Sequence, residues 1–131
     1  MIKFSGSLEN FLKLKIYNSD DIEVGSIFLT YLENIEKVNP EIYNLLPDNC
    51  PFNFSNTIYG FKLEIKEEFR NMGYGTKLMI ETEIFLKEKK INNFFLFREN
   101  NNRKLDLFYK RLNFIDIFFS HKHILFYKTI Y

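Results

Sequence analysis

The 131-residue sequence has no tryptophan, alanine or glutamine, and it has a single cysteine. One cysteine, Cys50, excludes an internal disulfide and any zinc site built from several cysteines. No stretch approaches the ~18 consecutive apolar residues of a membrane-spanning helix. The N-terminal region also lacks the basic start, apolar run and small-residue cleavage site of a signal peptide. We therefore expect a cytoplasmic protein with no membrane partner, and we predict no metal site.

An excess of charge of one sign is also missing. Eighteen Lys and Arg against 17 Asp and Glu give a net charge of +1. Proteins that bind nucleic acid without sequence preference carry a clear basic excess, so this balance predicts no nucleic-acid partner. The chain has neither repeats nor a Pro-, Gly- or Ser-rich linker, which favours one domain over residues 1–131. Without alanine, the 46% hydrophobic residues must form a core of Phe, Ile and Leu.

Hydrophobic periodicity predicts a mixed fold. Alternating apolar and polar residues indicate half-buried strands, whereas Phe94–Phe97 is apolar on both sides, as in a central strand covered by helices. The order β-β-insert-β-α-β-α-β-β implies one parallel crossover in a mostly antiparallel sheet, an α+β or mixed α/β class. The predicted strands are 10–17, 22–32, 57–65, 94–97, 114–120 and 123–130. The predicted helices are 40–46, the segment from the Gly73-Tyr74-Gly75 turn to Lys90, and 102–112.

An insert of residues 33–56 interrupts the strand pattern. Pro40 is placed to begin a short helix, because its missing N–H costs nothing in a first helical turn. Pro47 ends that helix.

The segment Arg70-Asn71-Met72-Gly73-Tyr74-Gly75-Thr76 lies between a predicted strand and a predicted helix. Glycines allow a tight turn and close approach of the backbone to a ligand. The N–H groups at the start of the helix can bind a phosphate, and Arg70 adds a fixed positive charge. The spacing fits neither GxxxxGK[ST] nor GxGxxG, so it predicts neither a P-loop nor a dinucleotide fold.

This segment, RxxGxG after an alternating apolar strand, resembles motif A of the GNAT N-acetyltransferase superfamily. A second block, Asn102 to Phe114, resembles that family's N-x-x-A-x-x-[FL]-Y-x-x-x-G-F pattern. The sequence departs from it at Leu105, where Ala is usual, and at Asn113, where Gly is usual. Together the resemblance covers Ile58 to Phe114.

The resemblance implies a mostly antiparallel sheet with two central parallel strands that splay apart, and acetyl-CoA as cofactor. The backbone of Asn71, Met72, Gly73, Tyr74, Gly75 and Thr76 would bind the pyrophosphate together with Arg70. Backbone groups of Leu63 and Ile65 would hold the pantetheine arm, and the Ile65 N–H would polarise the thioester carbonyl. Asn102 would contact the pantetheine, and Tyr109 would lie near the sulfur as general acid for the departing thiolate.

We therefore predict an acetyl-CoA-dependent N-acetyltransferase (EC 2.3.1.-) that transfers acetyl directly to a primary amine in a ternary complex. No Cys or Ser lies in a setting that would activate it as a nucleophile. Glu64 is the candidate general base, with solvated pairing to Lys62 as the alternative; Glu99 is a weaker candidate, and water could replace both. His121 and His123 are expected to be turn and surface residues.

The acceptor is left open between a small amine and a protein lysine or N-terminus. Most members of the family begin with a strand and two helices that form much of the acceptor pocket, and here about nine residues precede the first predicted strand. The insert 33–56 is expected to cover the face bearing Lys62 and Glu64, with Tyr43, Asp48 and Asn49 as acceptor-side candidates, or a homodimer partner completes the pocket. Leu105, Asn113 and the missing helices favour the alternative function, an inactive GNAT-fold module that binds CoA or another protein.

Overall fold

Seven strands form one sheet in the computed structural model, which describes residues 1–45, 56–99, 104–118 and 123–130. The strands are β1 (Ile2–Gly6), β2 (Leu12–Tyr17), β3 (Glu23–Tyr31), β4 (Thr57–Ile65), β5 (Asn93–Glu99), β6 (Ile115–Phe118) and β7 (His123–Thr129). The helices are α1 (Ile35–Val38), α2 (Pro40–Leu45), α3 (Tyr74–Glu88) and α4 (Lys104–Arg111), with single 3₁₀ turns at Leu32–Asn34 and Glu67–Phe69.

The strand order in the sheet is β1-β2-β3-β4-β5-β7-β6. Only the β4–β5 pair is parallel, and α3 forms the crossover between these two strands. The predicted fold class, a mostly antiparallel sheet with one central parallel pair and flanking helices, is confirmed. The predicted closing hairpin is also present as the antiparallel pair β6–β7.

β1 is a strand that the sequence pattern did not predict. It pairs with β2 at the edge of the sheet, and four of its five residues are exposed. The strand is short and buries little surface; pairing with β2 holds it in place, together with Ile2 packed against the main core and the Phe4 ring 5.1 Å from that of Phe85.

The two faces of the sheet carry separate cores. On one face, α3 and α4 pack through Leu78, Met79 and Tyr109 against Ile58 and Phe94. On the other face lies a smaller cluster, Leu32, Ile35, Tyr59, Phe95 and Leu125. Phe94 and Phe95 are both fully buried, so the prediction that this central strand is covered on both sides is correct.

Helix α3 begins at Tyr74 rather than after Gly75, because Gly73 is its N-cap residue. In the described parts of the chain, no helix has the length and apolar character needed to cross a membrane. The same residues contain no group of three His, Cys, Asp or Glu side chains that could hold a metal ion.

Candidate active site

An opening separates β4 from β5 over most of their length. The two strands pair only where Thr57, Ile58 and Tyr59 face Asn93, Phe94 and Phe95. Beyond these residues β4 continues to pair with β3, and β5 continues to pair with β7. After Tyr59 in β4 and Phe95 in β5, the two strands therefore no longer pair with each other. This agrees with the splayed strands that the resemblance implied.

A β-bulge in β4 marks the beginning of this opening. The register with β3 shifts between the pairs Ser26–Glu64 and Phe28–Phe61, so β4 has one residue more than β3 over this stretch. Lys62 lies in it with a φ of +52°, in the left-handed region. A bulge of this kind bends the strand and interrupts the alternation of its side chains.

The bulge moves side chains to the opposite face of the sheet. Tyr59 and Phe61 pack in the smaller cluster with α1, whereas Leu63 and Ile65 pack on the face of α3 and α4. The regular alternation of strand 57–65 predicts that Tyr59, Phe61, Leu63 and Ile65 share one face, and this prediction is wrong. Period-2 reasoning assumes a regular strand, and one inserted residue reverses every later position.

The backbone of Leu63 and Ile65 is directed into the opening. The Lys66 N–H donates to the Val24 carbonyl at 2.9 Å, which fixes Lys66 as a residue bonded to β3. Because bonding direction alternates along a strand, the N–H and C=O of Leu63 and Ile65 point away from β3. The Arg70 Nε–H donates to the Ile65 carbonyl oxygen at 2.8 Å, which fits this direction. The N–H and C=O of Leu63 and the N–H of Ile65 are thus available on the side where the pantetheine arm is expected, whereas the Ile65 carbonyl is bonded to Arg70.

The turn before α3 presents an uncapped helix N-terminus. Gly73 has a φ of +85° and makes no side-chain capping bond, and the first turn of α3 has no acidic residue. The first backbone N–H groups of a helix have no partner within the helix, so here they are available to an anion. Asn71, Met72, Gly73 and Thr76 are exposed, and Tyr74 and Gly75 are half-buried. This surface is compatible with the predicted pyrophosphate site.

Three distant parts of the sequence meet at Gly75. A β-carbon built on Gly75 would lie 3.4 Å from the Phe108 ring and 3.7 Å from the Ile65 side chain. Strand β4, the glycine turn and α4 are therefore neighbours, as the two motifs required. Phe108 was not among the predicted site residues; its only signal was its place beside Tyr109 in the second motif.

Tyr109 is buried in the core between α4 and the sheet. Its ring centroid lies 5.4 Å from that of Phe108, 5.7 Å from Phe114 and 4.9 Å from Phe126. Burial raises the pKa of Tyr109 to about 12, because the phenolate would lose its hydration. The phenol therefore keeps its proton over the physiological range. The packing role and the predicted acid role are compatible, because the same ring can do both.

Asn113 explains one departure from the family pattern. Its φ is +68°, and the N–H groups of Asn113 and Phe114 donate to the carbonyls of Lys110 and Tyr109, both at about 3.0–3.1 Å. This is a Schellman end to α4, which requires a left-handed residue. After glycine, Asn adopts this conformation most readily, so the substitution keeps the local structure.

Glu64 is exposed and pairs in register with Ser26. Because residues paired across strands share a face and Ile27 faces α3, Glu64 lies on the face of α1. No ion pair joins Glu64 to Lys62, whose ammonium instead lies 5.7 Å from the centroid of the Phe28 ring. Asn102, Cys50, Asp48, Asn49 and His121 lie outside the described residues, as do the side chains of Glu99 and His123.

A pocket of about 490 Å³ lies on the α1 face beside the bulge. Its walls come from the loop before β2, from β3 and β4, and from the insert, so insert residues and Lys62 line the same cavity, whereas Glu64 is not a lining residue. Tyr43 is exposed and is not a lining residue. Sequence reasoning identified neither this pocket nor most of its walls, which are Glu9, Asn10, Phe11, Phe28, Asn34, Lys37, Val38, Phe61 and Lys62.

The family model "Acetyltransferase (GNAT) family" matches residues 37–114, more than half of the chain. The chain belongs to this family of acetyltransferases, which use acetyl-CoA, and the predicted resemblance is confirmed. A search of curated proteins finds no match.

Solved structures with the same fold are distant in sequence. The GNAT-family acetyltransferase from Staphylococcus aureus Mu50 has 19% identity and a TM-score of 0.65, covering 92% of this chain and 68% of its own. The PaiA N-acetyltransferase from Thermoplasma acidophilum, crystallised with coenzyme A, has 19% identity and a TM-score of 0.68, over 92% and 61%. The ribosomal-protein-S18-alanine N-acetyltransferase from Escherichia coli has 11% identity and a TM-score of 0.67, over 93% and 70%. This chain therefore spans roughly two thirds of their length, and the likeness concerns the fold.

Proposed function

We propose that this protein is an acetyl-CoA-dependent N-acetyltransferase that transfers acetyl directly to a primary amine. The observation that carries the proposal is the opening between β4 and β5, which lies beside the uncapped N-terminus of α3. Membership of the GNAT family supports acetyl transfer in general. The amine acceptor and the roles of individual residues are part of the proposal.

The residues around the opening fit acetyl-CoA. The free N–H groups of Asn71 to Thr76 and the guanidinium of Arg70 suit a pyrophosphate, because both supply positive potential without a competing carboxylate in the first helical turn. The backbone groups of Leu63 and Ile65 suit the amides of a pantetheine arm, which can add to the edge of β4 as a strand would. Asn102 is assigned to the same arm from the family pattern. Bound acetyl-CoA supplies the acetyl group as a thioester, whose C–S bond breaks as the new amide C–N bond forms.

The chain supplies polarisation and proton transfer for this exchange. The Ile65 N–H donates a hydrogen bond to the carbonyl oxygen, on which negative charge develops during attack. Glu64 is the candidate to accept the proton that the amine loses, because it lies on the α1 face, where the pocket opens. Tyr109 supplies a hydrogen bond or proton to the sulfur as the thiolate leaves. A covalent enzyme intermediate is not needed.

Thermal unfolding with and without millimolar acetyl-CoA tests the cofactor. A ligand that binds only the native state at about 100 times its Kd adds about 2.7 kcal/mol of stability. In a domain of this size that raises Tm by roughly 5–10 °C. The shift is expected to shrink strongly in Arg70→Gln and to persist in Arg111→Gln, which removes an equally exposed guanidinium from the end of α4.

Each variant is compared with its own cofactor-free Tm, so that loss of the Arg70–Ile65 bond does not enter the result. Equal shifts in both variants would remove Arg70 from the proposed site. No shift in the wild-type protein would remove the cofactor. Release of free thiol from acetyl-CoA with a panel of amines then tests turnover.

A further inference from the structure

We propose that the acceptor is a small amine that carries an anionic group on an apolar body, and that the pocket on the α1 face binds it through Lys37 and Lys62. This inference rests on the proposed acetyl transfer and adds a substrate class to it. Four features of the pocket carry the argument: its position, its aromatic wall, its charge and its rigidity.

The pocket shares a segment of β4 with the opening. Phe61 and Lys62 line the pocket, and they lie between Tyr59, the last residue of β4 paired with β5, and Leu63, whose backbone faces the opening. A molecule in the pocket therefore lies on the segment of β4 that ends at Lys62, next to Leu63 and three residues before Ile65, at whose N–H the acetyl group is expected. It would approach from the face opposite α3 and α4.

Aromatic rings form one wall of the pocket. The centroids of Phe11 and Phe28 are 5.7 Å apart, those of Phe28 and Phe61 are 5.4 Å apart, and those of Phe61 and Tyr59 are 5.2 Å apart. Phe11 is 51% exposed, so its ring is available at the rim. A row of this kind favours an apolar or aromatic body by stacking and by burial of apolar surface.

The charge around this wall is mainly positive. Lys37 and Lys62 line the pocket against one carboxylate, that of Glu9. A third ammonium, of Lys13, lies 5.2 Å from the centroid of the Phe28 ring. Within the described ranges, no ion pair involves any of these three lysines. An anionic group on the acceptor would supply the missing countercharge, whereas a polycationic acceptor would be repelled.

Hydrogen bonds fix the wall of the pocket that the loop before β2 forms. The Thr30 hydroxyl donates to the Asn10 carbonyl at 2.6 Å, and the Asn34 amide donates to the Glu9 carbonyl at 2.6 Å. These bonds hold the loop before β2 against β3 and the start of the insert. A preformed pocket of this volume suits a small molecule, because little ordering has to accompany binding.

Four para-substituted benzylamines test the proposal, because they share one ring and a reactive aminomethyl group; the diamine carries two such groups, so its rate is taken per amine. They are 4-methylbenzylamine, 4-(aminomethyl)benzoate, 4-(aminomethyl)benzylphosphonate and p-xylylenediamine. Their para substituents are, in that order, a neutral methyl group, a carboxylate, a phosphonate and a cationic ammonium group. Phenylalanine adds a second spacing between carboxylate and amine, and phenethylamine is its match without the carboxylate. We expect kcat/KM to be at least about tenfold higher for the anionic members, mainly through a lower KM.

Variants assign this preference to the two lysines. Lys37→Gln/Lys62→Gln should lose the tenfold preference, measured within the variant as the ratio of kcat/KM for the anionic members to kcat/KM for 4-methylbenzylamine. Lys37→Glu/Lys62→Glu should prefer the diamine. The control Lys87→Gln/Lys89→Gln removes two exposed charges from the last turn and C-cap of α3, on the other face, and it should behave as the wild-type protein does.

Equal rates for all four benzylamines, or a preference that survives Lys37→Gln/Lys62→Gln, would overturn the proposal. A preference for the carboxylate alone or the phosphonate alone would identify the anion. If acetyl-CoA binds and no amine is turned over, the proposed activity fails. The pocket is then tested by calorimetric binding of the same four compounds to the CoA-bound protein, where equal affinities would overturn the charge preference.

Discussion

Replacing Tyr109 with phenylalanine tests the proposed acid in the active site. The variant keeps the ring that packs against Phe108, Phe114 and Phe126, so acetyl-CoA binding and the fold should be retained. Only the hydroxyl is lost. Steady-state release of free thiol gives kcat and KM, and the acetyl-CoA Tm shift measures binding separately.

The raised pKa of Tyr109 sets the size of the expected effect. A thiol has a pKa of about 8.5, so complete transfer of a proton from a phenol of pKa about 12 is uphill by roughly 3.5 units, or about 5 kcal/mol. Hydrogen-bond donation to the developing thiolate is therefore the larger part of its contribution. Loss of one such donor lowers kcat by about 10²–10³-fold. A kcat within about twofold of wild type would refute the role of Tyr109 in the reaction.

The Tyr109→Phe variant also tests the raised pKa of Tyr109 independently of catalysis. An unfolded tyrosine releases its proton near pH 10, whereas folded Tyr109 keeps it until about pH 12. The unfolded state thus binds fewer protons in this range, and stability falls as pH rises. Wild type should lose about 2 kcal/mol more than Tyr109→Phe between pH 10 and 12, measured by urea unfolding. Parallel stability curves for the two proteins would contradict the burial argument.

Substitutions at three further positions test the structure around the site by urea unfolding. Gly73→Ala should lower the free energy of unfolding by about 1–2 kcal/mol, because the φ of +85° is strained for alanine even though a β-carbon there meets no atom within 4 Å. Gly73→Asn should lower it less, and equal losses in the two variants would contradict the strain argument. Asn113→Gly should be neutral or stabilising and Asn113→Ala destabilising by about 1 kcal/mol, and the reverse order would exclude the left-handed cap. Lys128→Met should lower the free energy of unfolding by about 2 kcal/mol, because it removes hydrogen bonds of 2.8 Å from the ammonium to Glu83 and to the Leu112 carbonyl. An unchanged urea midpoint would show that water satisfies these partners instead.

The described structure accommodates Asn113 and Leu105, the two residues that depart from the family pattern and favoured an inactive module. Asn113 keeps the left-handed end of α4 that glycine would provide. Leu105 is half-buried and packs against the main core, so its larger side chain has a place in the fold. Neither residue removes a group on which the proposed chemistry depends.

The strands and both long helices were predictable because their signals are local. The alternation of Leu12, Leu14 and Ile16 and the apolar run at Phe94–Phe97 depend only on neighbouring residues in the chain. The family could be identified because the glycine turn and the second motif have fixed spacings. The edge strand β1 was missed because it buries little side-chain surface, and its position depends on pairing with β2.

Several features of the site depend on contacts between distant segments. The bulge at Lys62 follows from the register between β3 and β4, and it places Glu64 on one face and Ile65 on the other. The pocket joins four separate segments, from Glu9 to Lys62, and none of them has a pattern that predicts a cavity.

The sequence by itself determined the fold class, the GNAT family and the acetyl-CoA motif, because periodicity and motif spacing are properties of short segments. Only the tertiary structure decided which face each side chain of β4 occupies, how deeply Tyr109 is buried and which lysines surround the pocket. These depend on strand register and on packing between residues far apart in the chain. One inserted residue in β4 reverses the face of every later side chain of that strand without altering any local pattern.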